Sequence, residues 1–141
     1  MTDETAAVRL DPQPAVKTIG VGLVLGLLIA LGFALIIRLV PESVLTGTGS
    51  RLAVYGVLAL SAPTIVLPLW AVARRMAFDP PRFVWAAVSG SLLFDGAALG
   101  FVPGLYGQTG DAWAYTATGL LWAFGWIAVT ELVVEQRRRT H

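Results

Sequence analysis

The sequence predicts an all-α fold, an integral membrane four-helix bundle with both termini on the cytoplasmic side (N-in/C-in). Three observations support this prediction: the composition, four long apolar runs, and the placement of the basic residues. Of the 141 residues, 56% are hydrophobic and 13% are charged, whereas a soluble domain carries about 25% charged residues. The mean hydropathy of +0.72 points the same way. A water-soluble globule is therefore excluded.

The four apolar runs cover residues 18–40, 52–73, 83–103 and 112–134. An α-helix rises 1.5 Å per residue, so about 20 residues cross a hydrocarbon core of about 30 Å. Residues 18–134 are thus predicted to form one transmembrane domain, preceded by a polar cytoplasmic leader (1–17) and followed by a basic cytoplasmic tail (135–141). The first run is too long for the apolar core of a cleaved signal peptide, so we expect it to be retained as a span.

The basic residues indicate the orientation. Eight of the ten Lys and Arg residues lie in the leader, in the loop after the second run, or in the tail. Basic residues next to membrane spans remain on the cytoplasmic side. We therefore expect both termini to be cytoplasmic, in a bacterial plasma (inner) membrane.

The composition also limits the chemistry. The chain has no cysteine, and its single histidine is the last residue, His141. Thiolate metal sites, thiol catalysis and a histidine relay inside the membrane are excluded. No nucleophile with a base is recognisable, so we expect no enzyme activity, no cofactor and no bound metal. A net charge of +1 gives no reason to expect nucleic acid as a partner.

Small residues and prolines predict how the helices pack. Gly22 and Gly26 belong to a row of small residues in the first run, and Gly96 and Gly100 lie in the third run. Spacing of this kind favours close helix crossings. Two prolines in the second run, Pro63 and Pro68, each remove a backbone donor and predict a kink, either a functional hinge or a tolerated bend.

Asp95, near the middle of the third run, is the candidate functional residue. A carboxylate near the bilayer centre costs about 2.5–3.5 kcal/mol, so we expect it to face the bundle interior. Two alternative partners are predicted: the Arg38 guanidinium at the end of the first run for an ionised Asp95, or, for a protonated Asp95, the Ala59 carbonyl, which Pro63 leaves without its helical donor. Ser91, one turn before Asp95, offers a further hydroxyl.

Three roles remain open for Asp95: a structural polar clasp, a proton-titrating transport residue, or the wall of a ligand pocket. Two other acids, Glu131 and Glu135, lie at the inner end of the fourth run near the arginines of the tail. For these we expect an ion network at the membrane surface.

Four short motifs resemble a bacterial family of small four-span membrane proteins that is catalogued as a domain of unknown function. The motifs are Arg38-Leu39, Ser61-Ala62-Pro63, Leu92-Leu93-Phe94-Asp95-Gly96 and Gly119-Leu120-Leu121-Trp122-Ala123-Phe124-Gly125. The resemblance covers residues 18–133 and implies a four-helix integral membrane protein. It brings no established activity.

We expect a structural or accessory membrane protein, with a proton-coupled small-solute transporter acting as a dimer as the alternative. The partners expected are the lipid bilayer and either a second copy of the chain or another membrane protein. The small multidrug transporters share this length and number of spans. They carry an essential glutamate in the first span, where this chain has no acid.

Overall fold

The computed structural model describes residues 12–140. The chain forms five α-helices and one 3-10 helix: α1 (Pro12–Arg38), α2 (Glu42–Thr46), α3 (Thr48–Arg75), α4 (Pro80–Phe101), the 3-10 helix η1 (Pro103–Tyr106) and α5 (Gly110–Arg139). Within these residues there is no β-strand, and α1, α3, α4 and α5 are long and apolar enough to cross a membrane. The prediction of an all-helical chain with four span-length helices is confirmed.

The helices extend beyond most of the predicted boundaries. The last part of the predicted leader, from Pro12, belongs to α1, and α5 continues through the predicted tail to Arg139. Residues 1–11 and His141 lie outside the described residues. Hydropathy marks where the chain becomes polar, whereas a helix ends only where its backbone groups find other partners.

The start of α4 and the end of α1 each have a local cause. Asp79 precedes α4 and accepts a hydrogen bond from the Arg82 backbone N–H at 3.3 Å, and Pro80 and Pro81 occupy the first turn, where no donor is lost. Helix α1 ends at Arg38, two residues before the predicted boundary. Pro41 follows closely and disfavours a helical conformation at Val40.

The four long helices form two parallel pairs. Helix α1 packs mainly against α4, and α3 packs mainly against α5. Within the first pair, Gly22 faces Phe83 near the start of both helices, and Ala34 packs near Ala98 close to their ends. Helix α4 is the central element, because 50% of its apolar window is buried inside the protein, against 17–22% in the other three helices.

The bundle has two distinct ends. We call the end that carries the 76–79 turn and the last residues of α5 the terminal end, and the end that carries residues 39–47 and 102–109 the distal end. An apolar core centred on Val66, Trp70, Phe83, Val84 and Ile127 joins the two pairs toward the terminal end. Toward the distal end the two pairs line a partly open cavity.

The outer surface of the bundle is apolar. Large side chains that the fold leaves exposed occur along the long helices, for example Leu28, Leu60, Leu93, Leu121 and Leu132. In water such a surface would be unfavourable, whereas lipid tails are as apolar as leucine. The four helices and this surface together indicate a membrane protein.

Candidate functional site: a buried carboxyl group at an interhelical cavity

Asp95 lies in the distal half of α4, six residues before Phe101 and thus about 9 Å from the end of the helix. It is 5% exposed. The Tyr106 hydroxyl donates a hydrogen bond of 2.5 Å to Asp95 Oδ1. Tyr106 belongs to η1 and is fully buried, in contact with the cluster of Ala34 and Ala98. The carboxyl group of α4 is therefore bonded to the loop that follows its own helix.

The η1 turn directs Tyr106 inward. Gly107, directly after it, has a left-handed conformation (φ 69°), and a Cβ atom there would lie 2.9 Å from Arg38 Cγ. A glycine is the residue that meets both conditions. Burial, and then the neighbouring Asp95 carboxyl group, raise the pKa of the Tyr106 phenol above its ordinary value. The phenol therefore stays protonated and remains a donor near neutral pH.

The residues after Tyr106 connect the distal loop to α1 and α2. Gln108 Nε2 donates to the carbonyls of Ile37 (3.1 Å) and Val40 (2.9 Å) where α1 ends, and the Ile37 carbonyl also accepts from the Val40 backbone N–H. Glu42 Oε1 accepts hydrogen bonds from the Thr109 backbone N–H and hydroxyl, both at 2.8 Å. The loop that carries Tyr106 is thus fixed on both sides.

Both predicted partners of Asp95 are wrong. Arg38 is exposed and lies against Gly107, and among the described residues it forms no ion pair with Asp95 within 4 Å. The Ala59 carbonyl accepts no hydrogen bond from Asp95. Tyr106, in the loop that follows α4, occupies the position beside Asp95 Oδ1 instead.

Ser91 bonds to α1 and contributes nothing to the Asp95 carboxyl group. Its hydroxyl donates to the Gly26 carbonyl at 2.8 Å. At the same level a Cβ atom on Gly26 would overlap the Ala87 carbonyl oxygen, and one on Gly90 would overlap the Leu23 carbonyl oxygen. The backbones of α1 and α4 therefore touch, which is the close crossing expected from glycine rows.

The remaining glycines and the prolines lie elsewhere. A Cβ atom on Gly22 would lie 2.7 Å from Ala86 Cβ, so Gly22 belongs to the same crossing. Gly96 and Gly100 are exposed, and a Cβ atom on either would meet no atom within 4 Å. Their predicted role in packing within this chain is wrong, because they occupy the outward face of α4. Pro63 and Pro68 lie exposed inside α3, which continues through both; the role of the kink stays a prediction.

A cavity of about 530 Å³ lies between the two helix pairs. It extends from Val44 and Ser50 near the distal end to Leu69 and Ile127, and its wall is overwhelmingly apolar. Asp95 lines it and is the only carboxyl group among the described residues that do so. The other polar side chains of the wall are Ser50, Tyr55, Ser61, Ser91, Tyr115 and Thr116.

A second carboxyl group is buried near the terminal end. Glu131 of α5 is 1% exposed, and its Oε2 accepts a hydrogen bond of 2.6 Å from Trp70 Nε1, while Oε1 has no hydrogen-bond partner in the described part of the chain. The Arg138 guanidinium lies 4.1 Å from the centroid of the Trp70 ring. Glu131 was expected in a surface ion network. That expectation is wrong, because the acid turns into the bundle and bonds to an indole.

Comparisons of the chain with protein-family models, with curated proteins and with solved structures gave no match. The resemblance to a four-span family of unknown function therefore stays a prediction.

Sequence reasoning missed Tyr106 and Glu131. Tyr106 lies in a segment with several glycines that reads as a simple loop, and a single aromatic residue there carries no signal of burial. Glu131 stands next to the basic tail, so its charge suggested a surface position. Its spacing from Ile127, one helical turn away and also buried, is the available signal that it shares the inward face of α5.

Proposed function

We propose that this chain is a small polytopic protein of the bacterial plasma membrane, without enzyme activity, that acts as a structural or accessory component. In this proposal a polar clasp around Asp95 holds its distal end. Both termini face the cytoplasm, where Arg74, Arg75 and Arg82, on either side of the 76–79 turn, and the arginines at the end of α5 favour them. The observation that carries the proposal is the hydrogen bond from Tyr106 to Asp95.

The energetic basis of the clasp is the low polarity of its surroundings. A hydrogen bond to a carboxylate is about twice as strong as one between neutral groups, and a buried polar group without a partner is costly. Tyr106 supplies one such bond, and Gln108 extends the connection to the end of α1. The loop 102–109, α1 and α4 thereby become one unit at the distal end.

Thermal unfolding in detergent tests the clasp. We expect Tyr106→Phe to lower the free energy of unfolding by about 1–3 kcal/mol, because it leaves Asp95 Oδ1 without its hydrogen-bond partner inside the bundle. Tyr115→Phe is the matched control, since the Tyr115 hydroxyl donates no hydrogen bond among the described residues. A Tyr106→Phe variant as stable as wild type would contradict the clasp.

Reporter fusions test the orientation. We expect a fusion at Ala77 to report from the cytoplasm and one at Thr109 to report from the periplasm. The reverse result would overturn the proposed topology and leave the clasp untouched.

A second candidate function is proton-coupled transport of a small solute by a dimer. Two observations favour it: the cavity, and the presence of buried carboxyl groups near opposite ends of the bundle. From the rise of an α-helix, Asp95 and Glu131 are separated by on the order of 20 Å along the bundle axis. Buried ionisable residues of this kind mark proton and substrate paths in membrane proteins.

Liposomes with a pH gradient separate the two candidates. Transport predicts proton flux that Asp95→Asn abolishes, with Asp111→Asn as a control on an exposed acid. An absence of flux from a folded, reconstituted protein would favour the accessory role.

A further inference from the structure

We propose that the interhelical cavity binds an apolar organic ammonium ion, with the cationic group on Asp95 Oδ2 and the apolar part along the cavity wall. This inference goes beyond the clasp, since it assigns a ligand class to a space that the clasp does not use. It stands whether or not the protein transports its ligand.

The two oxygens of Asp95 differ. Oδ1 accepts the hydrogen bond from Tyr106, whereas Oδ2 has no hydrogen-bond partner among the described residues. The side chain is more than nine-tenths buried, and it lines the cavity. Oδ2 is not one of the enclosed polar atoms without a partner, so it is accessible from the cavity that Asp95 lines, and a donor that enters the cavity can bond to it.

The size and wall of the cavity define the rest of the ligand. Pockets for small molecules typically have volumes of about 300–1,000 Å³ and a mostly apolar lining with a few polar groups. At about 530 Å³ this cavity lies within that range. Aliphatic side chains such as Ile29, Val57 and Leu120 form most of the wall. A ligand with a large polar surface would therefore be poorly accommodated.

A cation is favoured over a neutral or anionic head group. The Asp95 carboxyl group accepts the Tyr106 hydrogen bond and lines the cavity, and a cation placed beside it favours its ionised form. No Lys, Arg or His of residues 12–140 lines the cavity, so an anion would meet the carboxylate without a compensating charge from these residues. Phe33, Tyr55 and Phe124 also line the cavity, and aromatic rings attract cations. An acyl chain would fill the volume but leave Oδ2 without a partner.

A matched pair of ligands tests the proposal: phenylbutylamine, which is cationic at neutral pH, and phenylbutanol, which has the same shape and no charge. Binding is measured by titration calorimetry on the full chain in nanodiscs of zwitterionic lipid, with empty nanodiscs subtracted. We expect the amine to bind at least about tenfold more tightly than the alcohol, as a desolvated ion pair adds to the shared apolar contacts.

Three variants locate the effect. Asp95→Asn should reduce the affinity for the amine to that for the alcohol, while Asp111→Asn, the same change at an exposed acid, should keep the preference. Ala123→Phe places a ring in the cavity and should abolish binding of both ligands. The melting temperature of each variant reports whether it is folded.

Several results would overturn the proposal. These are equal affinities of wild type for the two ligands, no binding of either, a preference that survives in Asp95→Asn, or binding that survives in Ala123→Phe. If Asp95→Asn does not fold, the proposal is decided by the affinities of wild type for the two ligands and by the loss of binding in Ala123→Phe. The clasp is judged separately, by the unfolding of Tyr106→Phe in the absence of ligand.

Discussion

The two helix pairs of this bundle are held together in different ways. Helices α1 and α4 touch through their backbones, because glycines at positions 22, 26 and 90 leave no side chain between them. Helices α3 and α5 are held by large side chains. Trp122 Nε1 donates to the Tyr55 carbonyl at 3.1 Å, the Tyr55 hydroxyl donates to the Tyr115 carbonyl at 3.1 Å, and Trp70 bonds to Glu131.

The difference shows what each kind of contact permits. In lipid the hydrophobic effect provides no drive for helices to associate, so they depend on close packing and on hydrogen bonds. The glycine crossing gives a tight contact in which the two helix backbones touch. The aromatic pair keeps its helices further apart by the size of its side chains, and Tyr55 also lines the cavity. Asp95 belongs to the closely packed pair α1 and α4, and both pairs line the cavity that Asp95 faces.

The largest effect is expected where the backbones of α1 and α4 touch. Gly26→Ala adds a methyl group that would overlap the Ala87 carbonyl oxygen, which the helix holds in place. We expect a loss of about 3 kcal/mol in the free energy of unfolding, the upper range for overpacking. Gly32→Ala is the matched control in the same helix, since its Cβ would meet nothing within 4 Å. Equal melting temperatures for the two variants would show that the crossing is looser than described.

A smaller loss of stability is expected in the pair formed by α3 and α5. Trp70→Phe removes the donor to Glu131 and leaves both carboxyl oxygens without a partner, at a cost of about 1–3 kcal/mol. Trp122→Phe is the control, because that indole is exposed and its acceptor is a helical carbonyl. Adding Glu131→Leu to Trp70→Phe should restore part of the stability. If the double variant is less stable than Trp70→Phe, Glu131 has another stabilising partner.

The hydroxyl that joins α4 to α1 contributes less. Ser91→Ala removes the bond to the Gly26 carbonyl, and we expect it to cost about 1 kcal/mol in chemical unfolding. Ser89→Ala provides the comparison, since the Ser89 hydroxyl is exposed and donates to Trp85 within its own helix. A larger loss from Ser89 than from Ser91 would contradict the assignment of the buried face of α4.

The smallest effect is expected on the outward face of α4. Gly96→Ala and Gly100→Ala add methyl groups to open space, so each should change the free energy of unfolding of the single chain by no more than about 0.5 kcal/mol. The oligomeric state of the same variants, measured by cross-linking in native membranes, extends the test to the expected second copy. A loss of cross-linked dimers with unchanged monomer stability would show that this face binds a second copy.

The sequence by itself determined the helical class, the four helices long and apolar enough to span a membrane, and the glycine crossing at Gly22 and Gly26. These depend on properties that a single residue or a short run carries: apolar length sets the span, and a missing side chain permits close approach. The expected burial of a carboxyl group in an apolar run has the same origin. None of these requires knowledge of which helices are neighbours.

Only the tertiary structure decided the partners. Whether Asp95 meets Arg38, the Ala59 carbonyl or Tyr106 depends on which helices are neighbours and on how the loop 102–109 folds back into the bundle. The same holds for Gly96 and Gly100, which are as small as Gly22 but lie on the face that α1 does not cover. It also holds for Glu131, whose position around the axis of α5 places its carboxyl group beside Trp70 and away from the basic tail. Spacing along the chain fixes depth in the membrane, whereas the choice of a hydrogen-bond partner requires the rotation and position of every helix around it.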